Sequence, residues 1–379
     1  MQNCLIWQLM QPCREAVMII EVKKVTLKDI AQASGYSLVS VHRAMNNKEG
    51  VSKEARQAIL NVANNLGYTT NYVASALKRR QVNLAVVFPE PEDGGKYYFR
   101  YIWKGCSAAE EEVAGYNINV MNYTYRVDGS RGSEEQMEIL KKLYEEWGTR
   151  LDGLLTTPNI NSSPMQCLLS QFAGRGVSVV LIDNDFKDCG RLCCIAPNDT
   201  YTGRLAAELM NLVLKGAQGT ILVAQGDERS LSHKMNAAGF EAYFRENNAA
   251  ITVKPIPDLN DFKANREQML QCFQNEKDII GAYATRARNT IPLCEALVES
   301  GRKDEIFAVG SDLFQESAQM LNDGVLKAIV YKNPYQKGYL GFKALFEYLI
   351  KGIEPRGEAI SVQISIILQN NVQFFKEFI

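Results

Sequence analysis

Residues 25–47 read V-T-L-K-D-I-A-Q-A-S-G-Y-S-L-V-S-V-H-R-A-M-N-N. Thr26 followed three residues later by Asp29 has the form of a capping box, and Leu27, Ile30 and Ala31 supply one apolar face for a short first helix. Gly35 breaks that helix. Ser37 can cap a second, with Val41, Ala44 and Met45 turned inward and Leu38, Val39, Ser40, His42 and Arg43 on its exposed N-terminal half. Two short helices joined by a tight glycine-containing turn form a helix-turn-helix, whose second helix has the dimensions to enter the major groove of DNA.

The pattern continues outward. From Ser52, residues Ala55, Ile59, Val62, Ala63 and Leu66 recur at helical spacing up to Gly67, which predicts a third helix closing a small core. Asn71 then opens a short segment with Val73, Ala74, Ala76 and Leu77, ending in Lys78, Arg79 and Arg80. From 21 to 81 there are ten Lys and Arg against four acidic residues, whereas the whole chain of 379 residues carries a net charge of −1. A basic module on an acidic body suits phosphate binding by the module alone, because counterion release depends on local charge.

These residues resemble the DNA-binding head of the LacI (lactose repressor) family. The resemblance is carried by Val25-Thr26, Asp29-Ile30-Ala31, Ser34-Gly35, Ser37, Val41, Arg43, Asn46, Val51-Ser52, Arg56, Leu66, Tyr68, Asn71, Ala74 and Leu77. It implies a head over 25–70, a hinge helix and linker over 71–81, and a homodimer seated on double-stranded operator DNA. The implied DNA contacts are Thr26, Ser37, Leu38, Val39, Ser40, His42, Arg43 and Asn46 in the head, and Asn71, Ala74 and Leu77 in the hinge. Leu77 would be an apolar wedge into the minor groove. Leu38 and Val39 offer only van der Waals contact, for example to thymine methyls, which leaves base-edge hydrogen bonding to His42 and Arg43.

Residues 1–24 precede this pattern and are expected to be a disordered extension or an over-called translation start, with Met18 a natural alternative. The tract lacks a basic start and a small-residue cleavage site, which argues against a secretion signal. No apolar run approaches the ~20 residues of a membrane span. A soluble, cytoplasmic protein of more than one domain is expected, without a membrane partner. The nine cysteines show no CxxC spacing and only two histidines exist, so neither a metal site nor a cofactor is indicated. Small buried apolar residues are the plainest reading of these thiols, and a redox sensor the other.

Beyond Val82 the chain alternates strand and helix. Strand-like runs at 84–88, 118–121, 153–155 and 177–182 are followed by a second series at 220–224, 251–255, 279–283, 306–309 and 328–330, with a last strand near 361–368. Helical stretches lie between them, which predicts parallel βαβ units and an α/β body of two Rossmann-like lobes over 82–379. A ligand cleft is expected where the carboxyl ends of the strands face each other.

The body is similar to the effector domain of the same family and to periplasmic sugar-binding proteins. W-K-G-C-S-A-A-E-E-E-V-A-G-Y (103–116), L-D-G-L-L (151–155), P-N-D-T-Y-T-G (197–203), V-G-S-D (309–312) and Y-K-N-P (331–334) carry this likeness. It implies a small sugar or sugar derivative as effector. Asp183, Asn198, Asp199, Asp312 and Asn333 fall at strand ends and could bond neighbouring hydroxyls, while Tyr98, Phe99 and Trp103 could face the C–H side of a ring. Where the family has an effector-binding Arg ahead of Gly-Phe, this chain has Asn236; Arg286 is a candidate replacement.

No G-x-S-x-G, no P-loop and no G-x-G-x-x-G is present, so the sequence does not point to an enzyme. Three classes stay open: a transcriptional regulator of carbohydrate-utilisation genes, most simply a repressor, gated by a sugar effector or by a purine-type corepressor; a sugar-binding receptor without a DNA role; and an enzyme on a Rossmann-like frame. The C-terminal V-Q-F-F-K-E-F-I contains no leucine heptad for a tetramerisation coil.

Overall fold

The computed structural model describes residues 25–45, 49–68, 80–127 and 129–378. Asn46, Asn71, Ala74 and Leu77, the extension at 1–24 and most of the hinge lie outside them. The chain divides into two compact units, 1–71 and 72–379.

The first unit contains α1 (Leu27–Ser34), α2 (Leu38–Met45) and α3 (Lys53–Asn65). The capping box at α1 is formed in full: Asp29 Oδ2 accepts from the Thr26 amide and hydroxyl, each at 2.7 Å, and Thr26 Oγ1 accepts from the Asp29 amide. Gly35 ends α1 at φ 75°, a left-handed conformation that a Cβ would strain. Ser37 Oγ accepts from the Ser40 amide and fixes the start of α2. Ile30, Val41, Ala44, Ile59 and Ala63 make the core, and Arg56 ties α3 to α2 through the Ala44 carbonyl. Leu66, expected in the inward stripe, is instead exposed, because it caps α3 beyond its last turn.

The second unit holds two six-stranded sheets. The first lobe orders its strands β2 (Ile118–Tyr125), β1 (Val82–Pro89), β3 (Gly153–Thr156), β4 (Ser178–Ile182), β5 (Cys193–Ala196) and β11 (Ala359–Ser361), all parallel. The second orders β7 (Ile251–Ile256), β6 (Gly219–Ala224), β8 (Ile279–Ala284), β9 (Phe307–Ser311), β10 (Ala328–Tyr331) and β12 (Ser365–Ile367), the last antiparallel. The single terminal strand expected near 361–368 is therefore two short strands in different sheets, and β5 is a strand that the expected series does not include. The chain passes between lobes after β5, after β10 and between β11 and β12.

Helices α4 (Phe99–Glu112) and α12 (Pro334–Phe346) pack together in the first lobe, and α7 (Asp199–Val213) and α8 (Leu231–Asn247) do so in the second. Both contacts need glycine. A Cβ at Gly105 would stand 2.0 Å from the Tyr335 carbonyl oxygen, and one at Gly203 would stand 1.9 Å from that of Asn236. Among the described residues the remaining α-helices are α5 (Gly129–Trp147), α6 (Ser163–Gly174), α9 (Phe262–Asn275), α10 (Ala287–Glu299) and α11 (Gln315–Asn322).

Candidate functional site

In the head, Leu38 and Val39 are 45% and 60% exposed although both are large and apolar, and His42 and Arg43 are exposed one turn further along α2. Thr26, Leu27, Lys28, Leu38, Val39 and His42 line one shallow surface groove, so the first turns of α1 and α2 present a common face. Ser37 and Ser40 bond to each other at 2.9 Å and frame it. An exposed apolar pair beside basic side chains costs solvation in the free head unless another surface covers it.

The body's cleft opens between the lobes at the carboxyl ends of the strands. Of the residues expected there, Tyr98, Phe99, Asp183, Asp199, Arg286 and Asp312 line it. Asn198 and Asn333 do not. Each caps a helix at a lobe crossing, Asn198 accepting from the Tyr201 amide at 3.2 Å and Asn333 from the Gln336 amide at 3.2 Å, which commits their oxygens to the backbone. Trp103 is also drawn away: its Nε1 donates to the Pro89 carbonyl and its ring meets Phe88 edge-on.

The cleft is built around two matched carboxylates. Asp183 and Asp312 follow β4 and β9, which occupy equivalent places in the two sheets, and both adopt left-handed backbone, φ 64° and 60°. Such conformations cost on the order of 1–2 kcal/mol in a non-glycine residue. Each is met by a lysine from the β10–α12 crossing. Lys337 Nζ lies 2.6 Å from Asp183 Oδ1 and also donates to the Tyr98 hydroxyl, which donates to Asp183 Oδ2 at 2.8 Å. Lys332 Nζ lies 3.1 Å from Asp312 Oδ2 as an ionic contact, while Asp312 Oδ1 accepts the Lys332 amide at 3.0 Å. Burial alone would lower the Lys332 pKa, but Asp312 and its acidic neighbours outweigh burial and raise it. Burial, with Asp183 beside it, pushes Tyr98 far above the usual phenol range.

Further round the wall, Arg286 pairs with Asp258 at 2.5 Å and Asp227 with Arg229 at 2.6 Å. Arg286 thus enters the cleft as a candidate replacement for the family's arginine, with one edge committed to Asp258. Asn236, at the family's arginine position, accepts from the Tyr283 hydroxyl at 3.0 Å and leaves its Nδ2 buried without a partner. His233 Nδ1 and Arg288 Nη1 are likewise buried and unsatisfied. Burial, reinforced by Arg286 and Lys332, drives His233 down to about 3, so its imidazole is neutral at physiological pH. Asp199 moves the other way: burial, then the charge of Asp183, lifts its carboxyl to about 7 against the opposing pull of Lys337 and Lys332. The unsatisfied buried donors of Asn236 and Arg288 facing a cleft call for a ligand rich in acceptors.

The cleft is clasped on both sides. Asn184 Oδ1 accepts from Ser230 Oγ and the Ser232 amide, both at 3.1 Å, and Asn161 Oδ1 accepts from the Leu231 amide at 2.9 Å. Across the opening, Tyr97 packs on Phe314 with ring centroids 4.9 Å apart, beside a Lys96–Glu316 ion pair. The lysines, His233, Arg288 and the 227–232 clasp were not singled out from sequence; the one local signal was Y-K-N-P-Y-Q-K (331–337), where two lysines flank the crossing. Among the described residues no cluster of His, Cys, Asp and Glu is placed to hold a metal ion.

A helix-turn-helix head on a two-lobed α/β body with an interlobe cleft defines a class, and comparison agrees with it. Residues 86–353 match the periplasmic binding protein domain and residues 26–71 match the bacterial regulatory proteins of the lacI family. The chain belongs to the periplasmic binding protein domain family through its body and carries a lacI-family helix-turn-helix head. It is 25% identical over 224 residues to the HTH-type transcriptional regulator DegA of Bacillus subtilis, an alignment covering 59% of this chain and 61% of DegA. The chain spans about a third to three-fifths of the length of the curated relatives it matches. The body has the fold of a LacI transcriptional regulator structure from Bacteroides fragilis (TM-score 0.69, 17% identity, 78% of this chain and 99% of that one). It shares that fold with a transporter solute-binding protein from Burkholderia graminis solved with D-arabinose (TM-score 0.69, 18% identity, 78% and 98% covered). No helix among the described residues is long and apolar enough to cross a membrane.

Proposed function

We propose that this protein is a sequence-specific DNA-binding transcriptional regulator, a repressor of carbohydrate-utilisation genes in the cytoplasm, that binds operator DNA as a homodimer and is switched by a small sugar-like effector in the interlobe cleft. The observation that carries this reading is the coexistence in one chain of two unsatisfied surfaces of complementary kinds. The head exposes Leu38, Val39, His42 and Arg43 on one helix of a basic module. The body encloses buried, unpartnered donors among carboxylates and aromatic rings.

The chemistry follows from those surfaces. Lys and Arg of the head neutralise phosphates without regard to sequence, and the α2 side chains contact base edges. In the cleft, Asp183, Asp199 and Asp312 accept from hydroxyls, Asn236 and Arg288 donate to ring and hydroxyl oxygens, and Tyr98 and Phe99 cover the apolar side of a ring. The names of relatives support this, since they include the ribose operon repressor of Bacillus subtilis. Closing the lobes on an effector would alter the spacing of two hinges in a dimer, with Leu77 acting as the wedge at the operator centre.

Selection of bound DNA from a random library, followed by a mobility shift with and without a sugar panel, tests the reading. A palindromic site whose occupancy changes with one sugar is expected. Binding no tighter to the selected site than to random DNA would refute the regulator and leave a sugar receptor.

A further inference from the structure

The cleft's charges do not close on themselves. Asp312 is paired with Lys332, Asp183 with Lys337, Asp227 with Arg229, and the cleft's Arg286 with Asp258 behind it. Asp199 has neither a cation within ion-pair reach nor a side-chain hydrogen bond among the described residues, yet it is only 9% exposed and lines the cleft. It sits in the first turn of α7 at the β5 crossing, where the helix N-terminus gives partial compensation. The charged groups acting on it are Asp183 and Asp312, which repel it, and Lys332 and Lys337, which are already engaged. Three carboxylates therefore share two ammonium groups.

We propose that the effector is an amino sugar, whose protonated amine supplies the missing countercharge of Asp199. This rests on the reading of the cleft as a sugar site and narrows it to one class. A hydroxyl can bond a carboxylate but leaves its charge unbalanced in a low-dielectric enclosure, whereas an ammonium group both donates and neutralises. The cleft has one other unbalanced charge, Arg288, which would suit a sugar acid. Arg288 is only half-buried and its Nη2 already donates to the Asn260 carbonyl, so water and backbone meet part of its demand. Among the described residues Asp199 has no side-chain donor or cation on its carboxylate, only the partial charge of the α7 N-terminus, and this favours the amine. Arg288 Nη1 and Asn236 Nδ2 are left to donate to the hydroxyl and ring oxygens of the same ligand.

Calorimetry and thermal-shift measurements on the full chain test this with D-glucosamine, D-galactosamine and D-mannosamine, their parent hexoses, their N-acetyl derivatives and D-glucuronate. One amine should bind at least about tenfold tighter than its parent hexose and its N-acetyl derivative at neutral pH, the equivalent of roughly 1.4 kcal/mol. Because binding requires the ionised carboxylate, its affinity should weaken by up to about tenfold per pH unit below neutrality, while that of a neutral hexose stays flat. Asp199→Asn should reduce the amine to the level of its parent; should that variant fail to fold, the pH profile of the unaltered chain decides. If a parent hexose or D-glucuronate binds as tightly as every amine, the amino-sugar inference is overturned while the sugar cleft stands. If no carbohydrate binds, both are overturned.

Discussion

Lys337 Nζ lies 2.6 Å from Asp183 Oδ1, joining two residues 154 positions apart with the lysine wholly buried. Truncating one partner strands the other's charge, and breaking a buried pair costs about 3–5 kcal/mol. Lys337→Met should therefore destabilise the body by about 3 kcal/mol in urea denaturation, and Asp183→Asn combined with Lys337→Met should recover much of it. Additive losses in the double variant would show that the pair is not coupled.

The Asn184 clasp makes a different prediction. Its Oδ1 accepts two bonds from the 230–232 segment, and its Nδ2 holds the Pro158 carbonyl at 2.8 Å. Each net bond is worth about 1 kcal/mol. Asn184→Ala should weaken binding of the sugar that raises the melting temperature by roughly tenfold, chiefly through faster dissociation. Unchanged dissociation in stopped-flow fluorescence would remove the clasp from the closing mechanism.

Two buried groups titrate with opposite sign. The Asp199 carboxyl is raised to about 7, so the folded state holds its proton more tightly than the unfolded chain; its contribution is present at low pH and lost as pH rises from about 4 to 7. His233 is lowered to about 3, so its contribution is present above about 6.5 and lost as pH falls toward 3. In the overlapping window the two offset each other. Asp199→Asn should gain stability over the parent at pH above about 7, by at most about 4 kcal/mol, with the gain gone near pH 4. His233→Gln should flatten the acid limb instead. Parallel denaturation profiles for parent and variants would count against both assignments.

In the head, stability and recognition should separate. Thr26→Ala removes the capping oxygen and should cost about 1 kcal/mol of head stability. Leu38→Ala and Val39→Ala alter exposed side chains and should leave the melting temperature within about 2 °C while changing the preferred half-site. The salt dependence of binding should be unchanged, since neither residue neutralises a phosphate. A shifted salt slope would mean that these substitutions reorganise the head.

Much of this was written locally. The capping box at Thr26 and Asp29, the left-handed Gly35 and the inward Ile30, Val41 and Ala44 are set by contacts within a few residues, so their spacing is legible in one dimension. Strand alternation predicted two lobes, and strand-end position brought Asp183, Asp199 and Asp312 to the cleft. The same rule failed for Asn198 and Asn333, because a polar residue at a strand end can equally cap the helix that follows.

The sequence by itself determined a helix-turn-helix head, a two-lobed α/β body and a cleft at the strand ends, since these follow from periodicity, capping chemistry and the handedness of βαβ units. Only the tertiary structure decided which charges meet. Lys332 meets Asp312 because β10 pairs with β9, Lys337 reaches Asp183 because the chain crosses into the first lobe after β10, Asn184 meets Ser230 because the lobes close, and Asp199 has no ion-pair partner among the described residues because both nearby lysines are engaged elsewhere. Ion pairing depends on distance and burial in space, and residues 20 or 154 positions apart in sequence carry no local mark of being neighbours.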